Sequence, residues 1–164
     1  MFIRYQRRDV LFGLVVYAGG DTIATLILGA FNPYRMLGMM LVGATVYAYE
    51  IPNYCERIQV CSDQISGTFR RSLARTGMAL LYFNPLWIAR HLLFIALLTA
   101  SYNEIGWGLL RLGALSFAVN IPISLLANFM IQNTVPLRWR FFSSAVFSSA
   151  MAVYYALSRT IFGG

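Results

Sequence analysis

The sequence predicts an all-α protein: a polytopic transmembrane helix bundle of four to five spans. Three observations carry this. The chain of 164 residues is 59% hydrophobic and only 12% charged, where soluble domains average about 25% charged and 45–50% apolar. Five long apolar stretches follow one another, each near the length of about 20 residues that a helix needs to cross a bilayer. No stretch alternates with period two, so barrel strands are a poor fit. The length allows one transmembrane domain over residues 1–164, and no Ser/Gly-rich linker or charge block marks a second.

The first span is expected at about 10–31. The preceding "MFIRYQRRDV" is a positive start of the kind that opens a signal peptide. The apolar run that follows is too long, contains Asp21 and offers no cleavage-like site, so it reads as a retained span. "NP" at 32–33 separates it from the second, 34–54. The polar stretch "CERIQVCSDQISGTFRRS", 55–72, reads as a loop, the only connector long enough to hold structure of its own. The third span follows at 73–100, then "SYNE" at 101–104, then the fourth at 105–131. Pro122 interrupts that run, which keeps a four-span reading open. "QNTVPLRW", 132–139, leads into the last span, 140–162. Pro52, Pro85 and Pro122 each remove a backbone donor and are expected to bend their helices.

All thirteen basic residues are arginine and the net charge is +7. They are scattered between apolar runs, as membrane flanks are, which argues against nucleic acid as a partner. With five spans, nine of them share one face: Arg4, Arg7, Arg8, Arg57, Arg70, Arg71, Arg75, Arg138 and Arg140. The opposite face keeps Arg35 and Arg159. This is the segregation the positive-inside rule describes. Arg138, Trp139 and Arg140 read as an interfacial anchor. Arg70, Arg71, Arg138 and Arg140 are candidates to contact anionic lipid such as cardiolipin.

Asp21, Arg90, His91 and Arg111 fall inside apolar runs, where a charge costs a few kcal/mol and therefore faces protein or water. Two readings stand: a polar pathway for a solute, or an internal lock such as Asp21 with Arg90 or Arg111. Arg111 can also snorkel to the nearby segment end. Gly113, Ser116, Asn120, Ser124 and Asn128 recur at three- and four-residue steps and form one small-polar stripe. Ser144, Ser148, Ala152 and Ala156 repeat every four residues, the pattern that lets helix backbones approach; Gly20 and Ala24 do so more weakly. The stripes are read as helix packing or as the lining of a narrow wet lumen.

No catalytic, cofactor or metal constellation is expected. There is no Ser–His–Asp set, no phosphate-cradling glycine loop, and His91 is the only histidine beside two cysteines, Cys55 and Cys61, without metal-ligand spacing. The protein is expected to be a non-enzyme.

"IPISLLANFMIQNTVPLRWR" resembles the signature of the Mpv-seventeen and peroxisomal-membrane-protein family of small organelle proteins. That signature runs Trp-Pro-x-x-Gln-x-x-Asn-Phe, then Val-Pro and an Arg; Pro122, Asn128, Phe129, Val135, Pro136 and Arg140 match. "GGDTI", with Gly20 and Asp21, is similar to the family's first span, and "YFNPLWIA", with Phe83 and Pro85, to its third. "RMLGMMLVGATVYAYEIPNYCERI" and "YYALS" resemble its second and last. Ile121 stands where the family has Trp and Leu125 where it has Gln, a polar group lost at membrane depth. The resemblance implies an integral protein of the mitochondrial inner membrane, or alternatively of the peroxisomal membrane, with four spans. In the mitochondrion the arginine-rich face would look to the matrix, where thiols stay reduced. It leads to the expectation of a structural accessory subunit, contacting other membrane subunits in a larger complex, with a respiratory complex as one case. The alternative is a weakly selective solute or ion channel.

Overall fold

In the computed structural model, residues 4–83 and 85–162 are described, with side chains for all of these except Pro85 and 154–162. Among the described residues all regular structure is helical. The elements are α1 (Arg7–Ile27), α2 (Pro33–Val42), a π-helical turn (Gly43–Tyr47), α3 (Ala48–Asp63), α4 (Thr68–Tyr82), α5 (Pro85–Leu98), a 3₁₀ turn (Tyr102–Glu104), α6 (Trp107–Thr134) and α7 (Leu137–Phe162). Three stretches are long and apolar enough to cross a membrane: Arg7–Ile27, Thr68–Leu98 and Trp107–Thr134.

Local chemistry explains the first connector. Gly29 takes φ +64, the left-handed conformation that costs glycine least. Around it Ala30 N–H bonds the Thr25 carbonyl (2.9 Å) and Gly29 N–H the Leu26 carbonyl (3.1 Å), closing α1 in a Schellman pattern. Asn32 then accepts from the Tyr34 and Arg35 amides, with Pro33 at the first helical position, and α2 begins.

Two expected loops are mostly helix. The stretch 55–72 keeps only 64–67 outside α3 and α4, and 132–139 keeps only Val135 and Pro136 outside α6 and α7. Polar composition marks where a chain meets water, not where its helix stops. Gln59 bonds Asp63 four residues on (2.8 and 3.0 Å), and Asn133 and Thr134 bond the Phe129 and Met130 carbonyls (2.8 and 2.7 Å), all inside helices. α6 also runs through Pro122 without ending.

The chain divides into two compact units: residues up to Asn53 with those from Phe141 onward, and Tyr54–Arg140. In the first, α1 packs on α2 and the π turn. Gly13 and Gly43 meet backbone to backbone, leaving no room for a Cβ on either. Tyr17 lies against Tyr47 at 4.5 Å between ring centroids. Pro52 sits inside α3 with the π turn just ahead of it, and the Tyr5 hydroxyl donates to the Ala44 carbonyl of that turn (2.7 Å). Asn53 binds both backbone groups of Arg4, accepting from its N–H (2.9 Å) and donating to its carbonyl (2.7 Å). The chain ahead of α1 is thereby pinned beside α3. On α7, Phe142 meets Phe12, and Ser149 contacts Gly20 while donating to the Val16 carbonyl (2.9 Å).

In the second unit α6 packs against α4 and α5. Tyr54 stacks on Tyr82 at 4.3 Å and donates to the Met78 carbonyl (2.9 Å). Phe83, Trp87 and His91 continue the ring contacts along α5, His91 lying parallel to Trp87 at 5.8 Å.

Candidate functional site

The polar residues of the Tyr54–Arg140 unit converge at one end, where α3 finishes, α4 starts, α6 finishes and α7 starts. Arg140 lies at its centre, 4% exposed. Its guanidinium donates to the Val135 carbonyl (3.1 Å), Gln59 Oε1 (2.9 Å) and Gln132 Oε1 (3.4 Å). These three acceptors are neutral. Gln59 in turn donates through Nε2 to Asp63, which also receives Arg75 (2.8 Å). The Gln59 amide thus links a cation on one side to a carboxylate on the other, which also fixes which way round it sits. Arg75 donates to buried Ser62 (2.8 Å), and Gln132, fully buried, reaches the Cys55 sulfur at 4.0 Å. Asn133 donates to the Ser72 carbonyl and to Thr76 (3.4 and 3.3 Å). The Gln59 amide first, then Arg75 and Arg71, hold the Asp63 carboxyl below its ordinary range.

This seam corrects part of the sequence reading. Arg140, a candidate lipid contact, is inside the protein. Arg71 is half-buried and donates to the Ile65 carbonyl through Nε and Nη2 (3.3 and 3.2 Å). Arg70 and Arg138 are exposed. Gln59 and Gln132 were not singled out, and Arg75 was counted only with the arginine-rich face. The signal for them was the density of amide and hydroxyl side chains flanking the two connectors, legible as a polar layer only once those connectors are seen as helix.

The candidate pathway residues do not form one line. Asp21 pairs with Arg35, Oδ2 at 2.9 Å from Nε, rather than with Arg90 or Arg111, and so ties α1 to α2. His91 packs on Trp87. Arg90 is half-buried on α5, and Arg111 is exposed near the start of α6. Asn120 and Asn128 are buried, and each donates to a carbonyl four residues back on α6, Ser116 and Ser124 (2.8 Å each). Ser124 itself is half-buried, and Phe129 exposed. On α7 Ser144 and Ala145 are buried, Ser148 and Ala152 half-buried, and the close approach to Gly20 is made by Ser149, one residue off the expected register. The side chains of Pro85 and Ala156 lie outside the described residues.

Neither Cys55, buried, nor Cys61, exposed, is in a disulfide. Among the described residues no group of three His, Cys, Asp or Glu could hold a metal ion. Compared with protein-family models, with curated proteins and with solved structures, the chain finds no match.

Proposed function

We propose that this protein is a non-catalytic integral membrane subunit, resembling the Mpv-seventeen family, that serves a structural accessory role in a larger complex of the mitochondrial inner membrane, a respiratory complex being one setting. The observation that carries the reading is the reversed polarity of α6. Its buried positions include Gly113, Asn120, Asn128 and Gln132, while Leu115, Val119, Leu126 and Met130 are each more than half exposed. In water that arrangement would leave a large apolar face uncovered. Against lipid or another apolar helix it is the stable one, because polar groups at that depth must find partners within the protein.

The resembling positions also have structural work. Asn128 is buried on α6, and Arg140 holds the Val135 carbonyl at the α6–α7 turn. The channel alternative needs donors and acceptors facing a lumen. Asp21 is closed by Arg35, and the Asn120 and Asn128 amides turn to their own helix, so its lining is weakened. Native-gel separation of the source membrane, with the chain tracked by mass spectrometry, tests the subunit reading. Co-migration in a high-mass band with fixed companions is expected; recovery solely as an 18.5 kDa protein overturns it.

A further inference from the structure

The polar end of the Tyr54–Arg140 unit is strongly basic. Residues 55–75 and 132–140 hold six arginines against Glu56 and Asp63. Three are tied inward: Arg71 to the Ile65 carbonyl, Arg75 to Ser62 and Asp63, and Arg140 to Val135, Gln59 and Gln132. Those same bonds hold the ends of α3, α4, α6 and α7 together. The other three, Arg57 on α3, Arg70 on α4 and Arg138 on α7, are exposed. Exposed aromatic residues neighbour two of them in sequence: Phe69, 78% exposed, precedes Arg70, and Trp139, 39% exposed, follows Arg138.

We infer that Arg57, Arg70 and Arg138 form a docking surface for anionic phospholipid headgroups, with Phe69 and Trp139 seated at the level where headgroups meet acyl chains. Charge complementarity gives the sign of the partner: six arginines stand against two acids at this end, and Arg57, Arg70 and Arg138 are the exposed members of that excess. The aromatics give its kind. A soluble anion has no use for an uncovered Phe69, whereas rings among basic residues at the end of apolar helices match the bilayer interface. The inference rests on the chain being embedded in a membrane and is independent of its membership in a complex.

The test uses the purified full-length chain in mild detergent, offered phosphatidylglycerol or phosphatidylcholine in mixed micelles, with retained lipid counted by native mass spectrometry. Wild type is expected to retain phosphatidylglycerol in preference. The preference should fall several-fold in Arg57→Gln/Arg70→Gln/Arg138→Gln, since each interfacial basic residue contributes separately. It should persist in the corresponding triple Lys variant and in Arg111→Gln. Equal retention of both lipids by wild type overturns the proposal, as does an undiminished preference in the Gln triple. If the triple fails to fold, Arg70→Gln alone should lower the ratio, and an unchanged ratio there is equally fatal. Loss of the preference in excess inorganic phosphate would make the site one for a free anion and also sink the lipid assignment. Migration as a lone protein in the native gel would end the subunit reading while leaving this measurement untouched.

Discussion

Arg140 and Gln59, 81 residues apart in the chain, are joined by a 2.9 Å hydrogen bond from the guanidinium Nη1 to the amide oxygen. Because Arg140 is buried and its other acceptors are a backbone carbonyl and a second glutamine, Gln59 is the group that links its charge to Asp63. Gln59→Leu should therefore destabilise the protein by about 1–3 kcal/mol, the cost of stranding a buried charged donor. Arg140→Leu alone should do similar damage, and the double variant should lose less than the sum. Thermal midpoints in detergent measure it; strict additivity would mean that the two side chains do not act together.

Asp63 gives that network a pH dependence. Its carboxyl is held below the usual range, first by the Gln59 amide and then by Arg75. A depressed carboxylate contributes stability that is fully present above its unfolded pKa of about 3.9 and disappears as pH falls through the lower folded value. Wild type should hold a steady midpoint between neutrality and about pH 5 and lose it below about pH 4. Asp63→Asn should start lower at neutral pH and fall less steeply in acid. Parallel curves for the two proteins would remove Asp63 from the network.

Gly13 faces the backbone of Gly43 with no space for a side chain, whereas a Cβ on Gly19, on the same helix, meets nothing within 4 Å. Gly13→Ala must push α1 away from the π turn and should cost about 1–3 kcal/mol, as overpacking does. Gly19→Ala should be neutral or stabilising by up to about 1 kcal/mol, the helix-propensity difference. The pair measured side by side separates close approach from propensity; equal effects would deny the contact.

How far the sequence carries is set by which forces are local. The break at 32–33 was legible because Asn32 and Pro33 act on their own backbone, whereas the earlier end of α1 at Ile27, closed by Gly29, was not. The stripe of Gly113, Asn120 and Asn128 was legible because helical spacing alone puts those residues on one face, and they are buried. The reach of α3 to Asp63 was not, because its last turns are polar and are held by Gln59–Asp63 and by bonds to Arg75 on α4. The partner of Asp21 was missed for a like reason: Arg35 was assigned to a membrane face by counting spans, while a short hairpin brings it within reach of α1. The buried Arg140 looked like an anchor because arginine at a segment end ordinarily is one.

The Asp21–Arg35 pair is mostly withdrawn from solvent, the two side chains 6% and 20% exposed. Breaking such a pair from one side is more damaging than removing it, because the remaining charge stays buried. Arg35→Met should cost about 3–5 kcal/mol. Asp21→Leu/Arg35→Met should recover most of that loss. A double variant as unstable as the single would show that the carboxylate has other dependents on α1.

The arginine-rich face can be tested with the protein's own thiols. Cys61 is exposed near the end of α3 and Cys55 is buried. The sequence expectation of spans at 10–31 and 34–54 places two crossings between the N-terminal tail and this region, and so predicts both on one side of the bilayer. A membrane-impermeant maleimide should label Cys61 in sealed vesicles of the orientation in which protease removes an N-terminal tag, and in no other. Cys61→Ser should abolish the labelling, because burial keeps Cys55 from the reagent. Labelling from the face opposite the tag would require an odd number of crossings before residue 61. Arg4, Arg7 and Arg8 would then sit across the membrane from Arg57, Arg70 and Arg138, and the charge segregation that orients the chain would be lost.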